Sequence, residues 1–210
     1  RRSRRPGQWS SCRTWARPRD GCQRRTFRRG AIATGLDFSG EALRTARHLA
    51  QESGLKANFV QGRIEEAPRL TPGPFDLAFS TWGTICWLPD LRVWAQAIAA
   101  VLVPGGELYL ADAHPGFQVM ELRDDRLEPT YDFQTPVERP LEFSDETTYT
   151  GDPTIMTHQT TREWVHALST ILGSLIEAGL TITMFREHEV LPWHGLKNLV
   201  PASGRLWRLP

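Results

Sequence analysis

From Gly30 onward the chain alternates short β-prone runs with amphipathic helical stretches, and that alternation admits few architectures. The run AIATGLDF is followed by GEALRTARHLAQESG, where Ala42, Leu43, Ala46, Leu49 and Ala50 recur at helical spacing; Ser39 can cap this helix and Gly54 can end it. Strands are expected over 57–61 and 75–80, separated by a Pro/Gly-rich connection. Asp90 then caps a helix whose Leu91, Trp94, Ala95, Ile98, Val101 and Leu102 form one apolar stripe, halted by Pro104-Gly105-Gly106 before a strand over 107–111. Strands alternating with helices of about a dozen residues, joined by short turns, predict a doubly wound α/β fold with a mostly parallel sheet and right-handed crossovers.

Residues 115–160 break this rhythm with five prolines and no sustained period, which predicts an insertion or lid over one edge of the sheet. Thr160-Thr-Arg-Glu163 reads as a capping box opening a helix with Trp164, Leu168, Ile171, Leu172, Leu175 and Ile176 on its buried face. Gly179 ends that helix, and 180–187 is expected to be a strand.

Charge divides the chain more sharply than its net value of +1 suggests. Residues 1–30 hold 11 of the 25 basic residues and one of the 24 acidic ones, so residues 31–210 carry a net −9. The division is therefore a basic leader over 1–29 and an acidic domain over 30–210. No apolar run reaches the roughly 18 to 20 residues of a membrane helix, and the leader lacks the apolar segment of a secretory signal. Cys12, Cys22 and Cys86 share no metal-ligand spacing, and His188, His194 and the acids near them form none either, so no metal is expected and the setting is read as reducing and cytoplasmic.

In a doubly wound sheet, ligands bind beyond the carboxyl ends of the strands. Asp37, closing the first run, is placed either to bond both hydroxyls of an adenosine ribose or simply to complement the following helix dipole. The ordered series GLDFSGEAL, VQGRIEEAP, FDLAFSTWG and LVPGGELYLAD resembles the class I S-adenosylmethionine-dependent methyltransferases, of the small-molecule type. CWLPDLRVWA, EAGL and HEVLPW are similar to an uncharacterised bacterial branch of that family.

The resemblance implies a Rossmann-like domain with S-adenosylmethionine as cofactor and a small molecule as methyl acceptor. It implies that Asp37 binds the ribose, with Phe38 and Ser39 in the cofactor wall, and that Arg63 and Ile64 lie by the adenine. Arg63 departs from the small or acidic residue usual there. Ser80, Thr81 and Trp82 would line the methionine end. His114, in ADAHP, is the first candidate for a base or acceptor contact, ahead of Asp112, with a purely structural histidine as the competing reading. Trp87, Tyr149, His158, Trp193 and His194 are candidates for the pocket or lid. The family's last strand also lacks a counterpart, since the chain ends at RLWRLP, and an uncovered sheet edge there would invite self-association.

The first strand should end in a glycine-rich turn, and the leader offers only SSCRTWARPRDGCQRRT in its place. Either residues 1–29 are a genuine extension or they are translated out of frame. Trp15 must be TGG and Ala16 begins GC, so the junction codon reads GGC, a glycine standing 22 positions before Asp37. The codons around it permit Val-Leu-x-Asp-Leu-Gly, the hydrophobic strand and turn that the fold requires. The arginines have two further readings, a solvated tail and a phosphate-binding patch, and the frame reading ranks first because it also explains the absent turn. No nucleic-acid or membrane partner is therefore expected. Methyl transfer is the leading function; a degenerate fold without cofactor binding and a nicotinamide-dependent oxidoreductase are the alternatives.

Overall fold

The computed structural model describes residues 32–81, 83–124, 126–144, 160–191, 200–204 and 206–208. Strand β1 (Ala33–Asp37) leads into helix α1 (Gly40–Glu52), and β2 (Ala57–Gln61) returns parallel to β1, pairing Ala33 with Ala57 through Asp37 with Gln61. The helix forms where its caps and spacing place it. Ser39 Oγ accepts the Ala42 amide at 3.2 Å, Gly54 takes the left-handed conformation at φ +63°, and Leu43, Ala46 and Ala50 are buried.

A second parallel pair follows the short helix α2 (Ala67–Leu70). Strand β3 (Phe75–Thr81) pairs with β4 (Leu102–Ala111), crossing over through a 3-10 turn at Ile85–Trp87 and helix α3 (Leu91–Val101). Asp90 Oδ1 accepts the Arg92 amide at 2.8 Å, capping α3 as its sequence predicts. Leu102 belongs to β4 rather than to the helix, and the glycines lie inside the strand. Gly105 sits at φ +81°, and a Cβ on Gly106 would lie 3.0 to 3.3 Å from the carbonyl oxygens of Val103, Phe75 and Asp76. That close backbone approach is what the Pro-Gly-Gly turn accommodates. Within the described residues the two parallel pairs are not joined to each other by a strand ladder.

The core lies where α3 crosses the second pair. Leu91, Trp94, Ala95 and Ile98 pack with Ala78 of β3, with Ile85 and Leu88 of the turn, and with Ile171 and Leu175 of helix α5 (Leu168–Glu177). Each large side chain buried this fully contributes roughly 1.5 to 3 kcal/mol. A smaller cluster joins Leu36 of β1 to Ala67 and Val101. On the opposite face of the second pair, Phe79 and Tyr109 stack with ring centroids 5.1 Å apart, and Tyr109 stays half exposed.

The insertion is more regular than its composition suggests. It contains the short helix α4 (Pro115–Gln118), a hairpin of β5 (Met120–Arg123) with β6 (Arg126–Pro129), and an antiparallel pair of β7 (Leu141–Ser144) with β8 (Thr160–Glu163). Two expectations are corrected here. Thr160–Glu163 is strand β8, not a helix start: its two β-branched threonines pair with Ser144 and Phe143. Helix α5 begins only at Leu168, and its first turn is held from outside by Gln134, whose Oε1 accepts the Ala167 amide at 2.9 Å and the Thr170 hydroxyl at 2.8 Å.

The second correction concerns 180–187, which forms no strand. Residues 181–189 are all exposed, with Met184 at 69%. The apolar alternation of Leu180, Ile182 and Met184 suits a strand, but a strand also needs an edge to pair with, and this segment makes no ladder. A two-residue hairpin, β9 (Val200–Pro201) with β10 (Trp207–Arg208), closes the described chain.

Candidate functional site

The carboxyl ends of β1 to β4 carry most of the residues singled out above. Asp37 closes β1, only 1% exposed, and its Oδ1 accepts the Ser39 amide at 2.7 Å. Ser39 thus has a defined local job, capping α1 with its hydroxyl while its amide orients Asp37. Phe38 between them is half exposed, and its carbonyl accepts Gln61 Nε2 at 3.1 Å, tying the ends of β1 and β2 together.

After β2, Arg63 and Ile64 part company. The Arg63 guanidinium pairs with Glu65 at 2.6 Å on the surface, whereas Ile64 packs against both hydrophobic clusters. The Arg63 amide donates to Glu66 Oε2, and that bond, with the neighbouring Arg69, holds the Glu66 carboxyl below the usual range against a smaller desolvation effect. At the end of β3, Ser80 is buried and its Oγ has no hydrogen-bond partner among the described residues. Thr81 is the last residue of β3, and Trp82 lies outside the described residues, as do Tyr149, His158, Trp193 and His194. His188 is exposed.

Asp112, read from sequence as a reserve base, does something else. Its carboxylate accepts four backbone amides, from Gly83 at 2.7 Å, Thr84 at 3.0 Å, Ile85 at 3.2 Å and Ala113 at 2.8 Å. Gly83 reaches this position at φ +77°, in the left-handed region that favours glycine. Desolvation pushes the Asp112 carboxyl above the usual range, opposed by those four amides. With both oxygens occupied, Asp112 clamps the loop after β3 onto the end of β4.

His114 is also engaged at both ring nitrogens. Nδ1 accepts the Gly116 amide at 3.0 Å, capping α4, and Nε2 lies 2.7 Å from Glu187. This geometry assigns the proton to Nε2. His166, which the sequence did not single out, is 2% exposed with Nε2 2.8 Å from the Leu88 carbonyl oxygen. Its Nδ1 has no partner among the described residues, and burial lowers its pKa.

Parallel strands linked by helices, with an acid closing β1 and further polar groups at the ends of β3 and β4, define an α/β domain of the doubly wound class, whose ligands bind beyond the carboxyl ends of the strands. Comparison with known proteins narrows this. The family model of the methyltransferase domain matches residues 22–106. Ubiquinone biosynthesis O-methyltransferases of Pectobacterium carotovorum and Cronobacter sakazakii are 36% and 37% identical to this chain over 84 residues, 40% of its length. The match spans about a third of those relatives, 35% and 34% respectively. A crystal structure of an S-adenosylmethionine-dependent methyltransferase from Clostridium acetobutylicum superposes with a TM-score of 0.55 at 15% identity, covering 76% of this chain and 68% of its own. Residues 22–106 are thus similar to the methyltransferase domain, and the fold is that of an S-adenosylmethionine-dependent methyltransferase.

Two buried polar groups bear on whether the residues present fit S-adenosylmethionine. Asp37 is a carboxylate at the carboxyl end of β1, the kind of group that accepts from ribose hydroxyls in such folds, and Ser80 Oγ is a buried polar atom with no hydrogen-bond partner among the described residues. The segment in which the glycine-rich turn belongs lies outside the described residues. No cluster of metal-ligating side chains occurs among the described residues, and no helix among them is long and apolar enough to cross a membrane.

Proposed function

We propose that this domain transfers a methyl group from S-adenosylmethionine to an oxygen of a small molecule. The observation that carries the reading is the buried acid Asp37 at the carboxyl end of β1, within a segment that matches the methyltransferase domain. The printed names of the curated relatives favour oxygen as the acceptor atom. Asp37 holds the ribose hydroxyls, Phe38 and Ile64 supply apolar surface beside the adenosine, Arg63 borders it, and the end of β3 at Ser80 and Thr81 faces the methionine end. When bound, S-adenosylmethionine supplies a methyl group on a positively charged sulfur that departs as a neutral thioether. The chain contributes chiefly orientation, which alone can account for much of such a rate enhancement.

We assign the acceptor proton to His114. Glu187 holds Nε2–H, so Nδ1 is the basic nitrogen, and it must exchange the Gly116 amide for the acceptor's proton. Replacement by asparagine, which retains a cap, should lower kcat about 100-fold or more. An unchanged kcat would leave His114 as a helix cap.

Calorimetry with S-adenosylmethionine and S-adenosylhomocysteine tests the reading as a whole. Binding that weakens about tenfold or more in Asp37→Ala supports it, consistent with the loss of charge-assisted hydrogen bonds. Binding of neither compound would indicate a degenerate fold, and preference for a nicotinamide dinucleotide would indicate an oxidoreductase.

We further propose that residues 1–29 are read out of frame, with the acidic domain over 30–210 as the functional unit and 115–160 as its insertion. The charge discontinuity at Gly30 and the missing glycine turn support this. Sequencing the encoding DNA decides it: a gene without the glycine-bearing alternative frame rejects the proposal. A small-molecule acceptor and a reducing cytoplasmic setting accompany this reading, the latter supported by the buried free thiol of Cys86.

A further inference from the structure

A cleft of about 490 Å³ lies between the turn that follows β3 and strand β8, lined by Trp87, Thr160, Thr161, Arg162 and Trp164. Its two walls are joined. The Trp164 amide donates to the Cys86 carbonyl at 2.7 Å, and the indole Nε1 of Trp164 donates to the Val137 carbonyl at 3.1 Å. The turn bearing Trp87 is continuous with the loop that Asp112 clamps beyond the carboxyl ends of β3 and β4. Its volume is that of a site for a small ligand.

Two features specify the occupant. Indole surfaces at Trp87 and Trp164 favour a planar π-system, which gains from ring contacts beyond simple burial. Thr161 Oγ1 is sealed from water and has no hydrogen-bond partner among the described residues, although its side chain lines the cleft. A buried hydroxyl of this kind is unfavourable until a partner arrives. Arg162 is already paired with Glu142 at 3.0 Å, so the site does not require an acidic ligand.

We propose that this cleft is the acceptor site, and that it takes a one- or two-ring aromatic molecule bearing a hydroxyl, its ring against Trp87 and Trp164 and a polar substituent bonded to Thr161. The assignment as acceptor site rests on the methyl-transfer reading; the aromatic preference does not. In calorimetric titrations of the full chain without cofactor, 2-naphthol should bind at least tenfold more tightly than cyclohexanol. Thr161→Val, which keeps the β-branched shape, should weaken 2-naphthol about fivefold. Trp87→Leu should weaken it tenfold or more, whereas Trp164→Phe, which retains a ring, should change it less than threefold. Equal affinity for the two alcohols overturns the proposal, as does unaltered 2-naphthol binding in the Thr161 variant with its fold intact by circular dichroism. A parallel titration with S-adenosylhomocysteine separates the two readings: 2-naphthol binding without it overturns the acceptor role while supporting the aromatic site.

Discussion

Replacing Asp112 with asparagine probes the loop that shapes the carboxyl-end face of β3 and β4. The two side chains are nearly isosteric, so any effect reports on hydrogen bonding. The carboxylate accepts the Gly83 and Ala113 amides at Oδ1 and the Thr84 and Ile85 amides at Oδ2. Asparagine can accept at one of these positions only, and its NH2 group confronts the other two donors. Each lost bond to a charged acceptor costs about 1.5 to 3 kcal/mol, and partial access of water to this half-buried residue offsets some of it, leaving roughly 2 to 4 kcal/mol. For a chain of this size that corresponds to a fall in Tm of roughly 5 to 12 °C, measured by scanning calorimetry. Amide hydrogen exchange supplies a local readout, with protection lost at Gly83, Thr84 and Ile85 before it is lost in α3. A fall of less than about 2 °C, given the principle that unsatisfied buried donors are costly, would refute the reasoning that the four amides depend on this carboxylate.

Three further outcomes follow from geometry already described. Stability should fall as pH drops below about 6.5 through the lowered pKa of His166, because the fold favours its neutral form and the unfolded chain takes up the proton first. Urea unfolding at pH 7.5 and 5.5 measures this, and a His166→Gln variant with the same pH slope would contradict it. Ser39→Ala removes the cap of α1 and should cost about 1 kcal/mol in the same assay, with no loss expected if the Ala42 amide is satisfied otherwise. Gly106→Ala places a methyl group against three carbonyl oxygens and should destabilise the fold by roughly 1 to 3 kcal/mol; a neutral result would mean that the turn into β4 relaxes freely.

How much of this was legible in the sequence depended on the range of the interaction. Helices α1 and α3 could be read because their spacing and caps lie within a dozen residues, and Asp37 could be placed because it closes β1. Thr160–Glu163 was misread because the pattern that makes a capping box also suits an antiparallel strand, and the distant partner Leu141–Ser144 decided between them. The segment 180–187 shows the converse, an alternation with no ladder to join. Asp112 was noticed as an acid after β4, but its role depends on amides nearly thirty residues earlier folding back around it. Trp87 was singled out as a pocket residue, whereas Thr161 and Arg162 were not, because their cleft exists only once β8 is seen as a strand.

Four consecutive residues before α5 are fastened alternately to two parts of the domain, the turn after β3 and the insertion. Trp164 bonds to Cys86, Val165 to Thr135 through both its amide and its carbonyl, His166 to Leu88, and Ala167 to Gln134. That run acts as a seam between the insertion and the sheet, so the described part of the insertion is a fixed wall rather than a swinging flap. A guest would enter and leave by side-chain adjustments at the mouth, on the nanosecond scale, instead of waiting on a microsecond-to-millisecond hinge. Turnover would then discriminate by the width of a doorway, and bulky guests would be refused at the threshold rather than trapped inside.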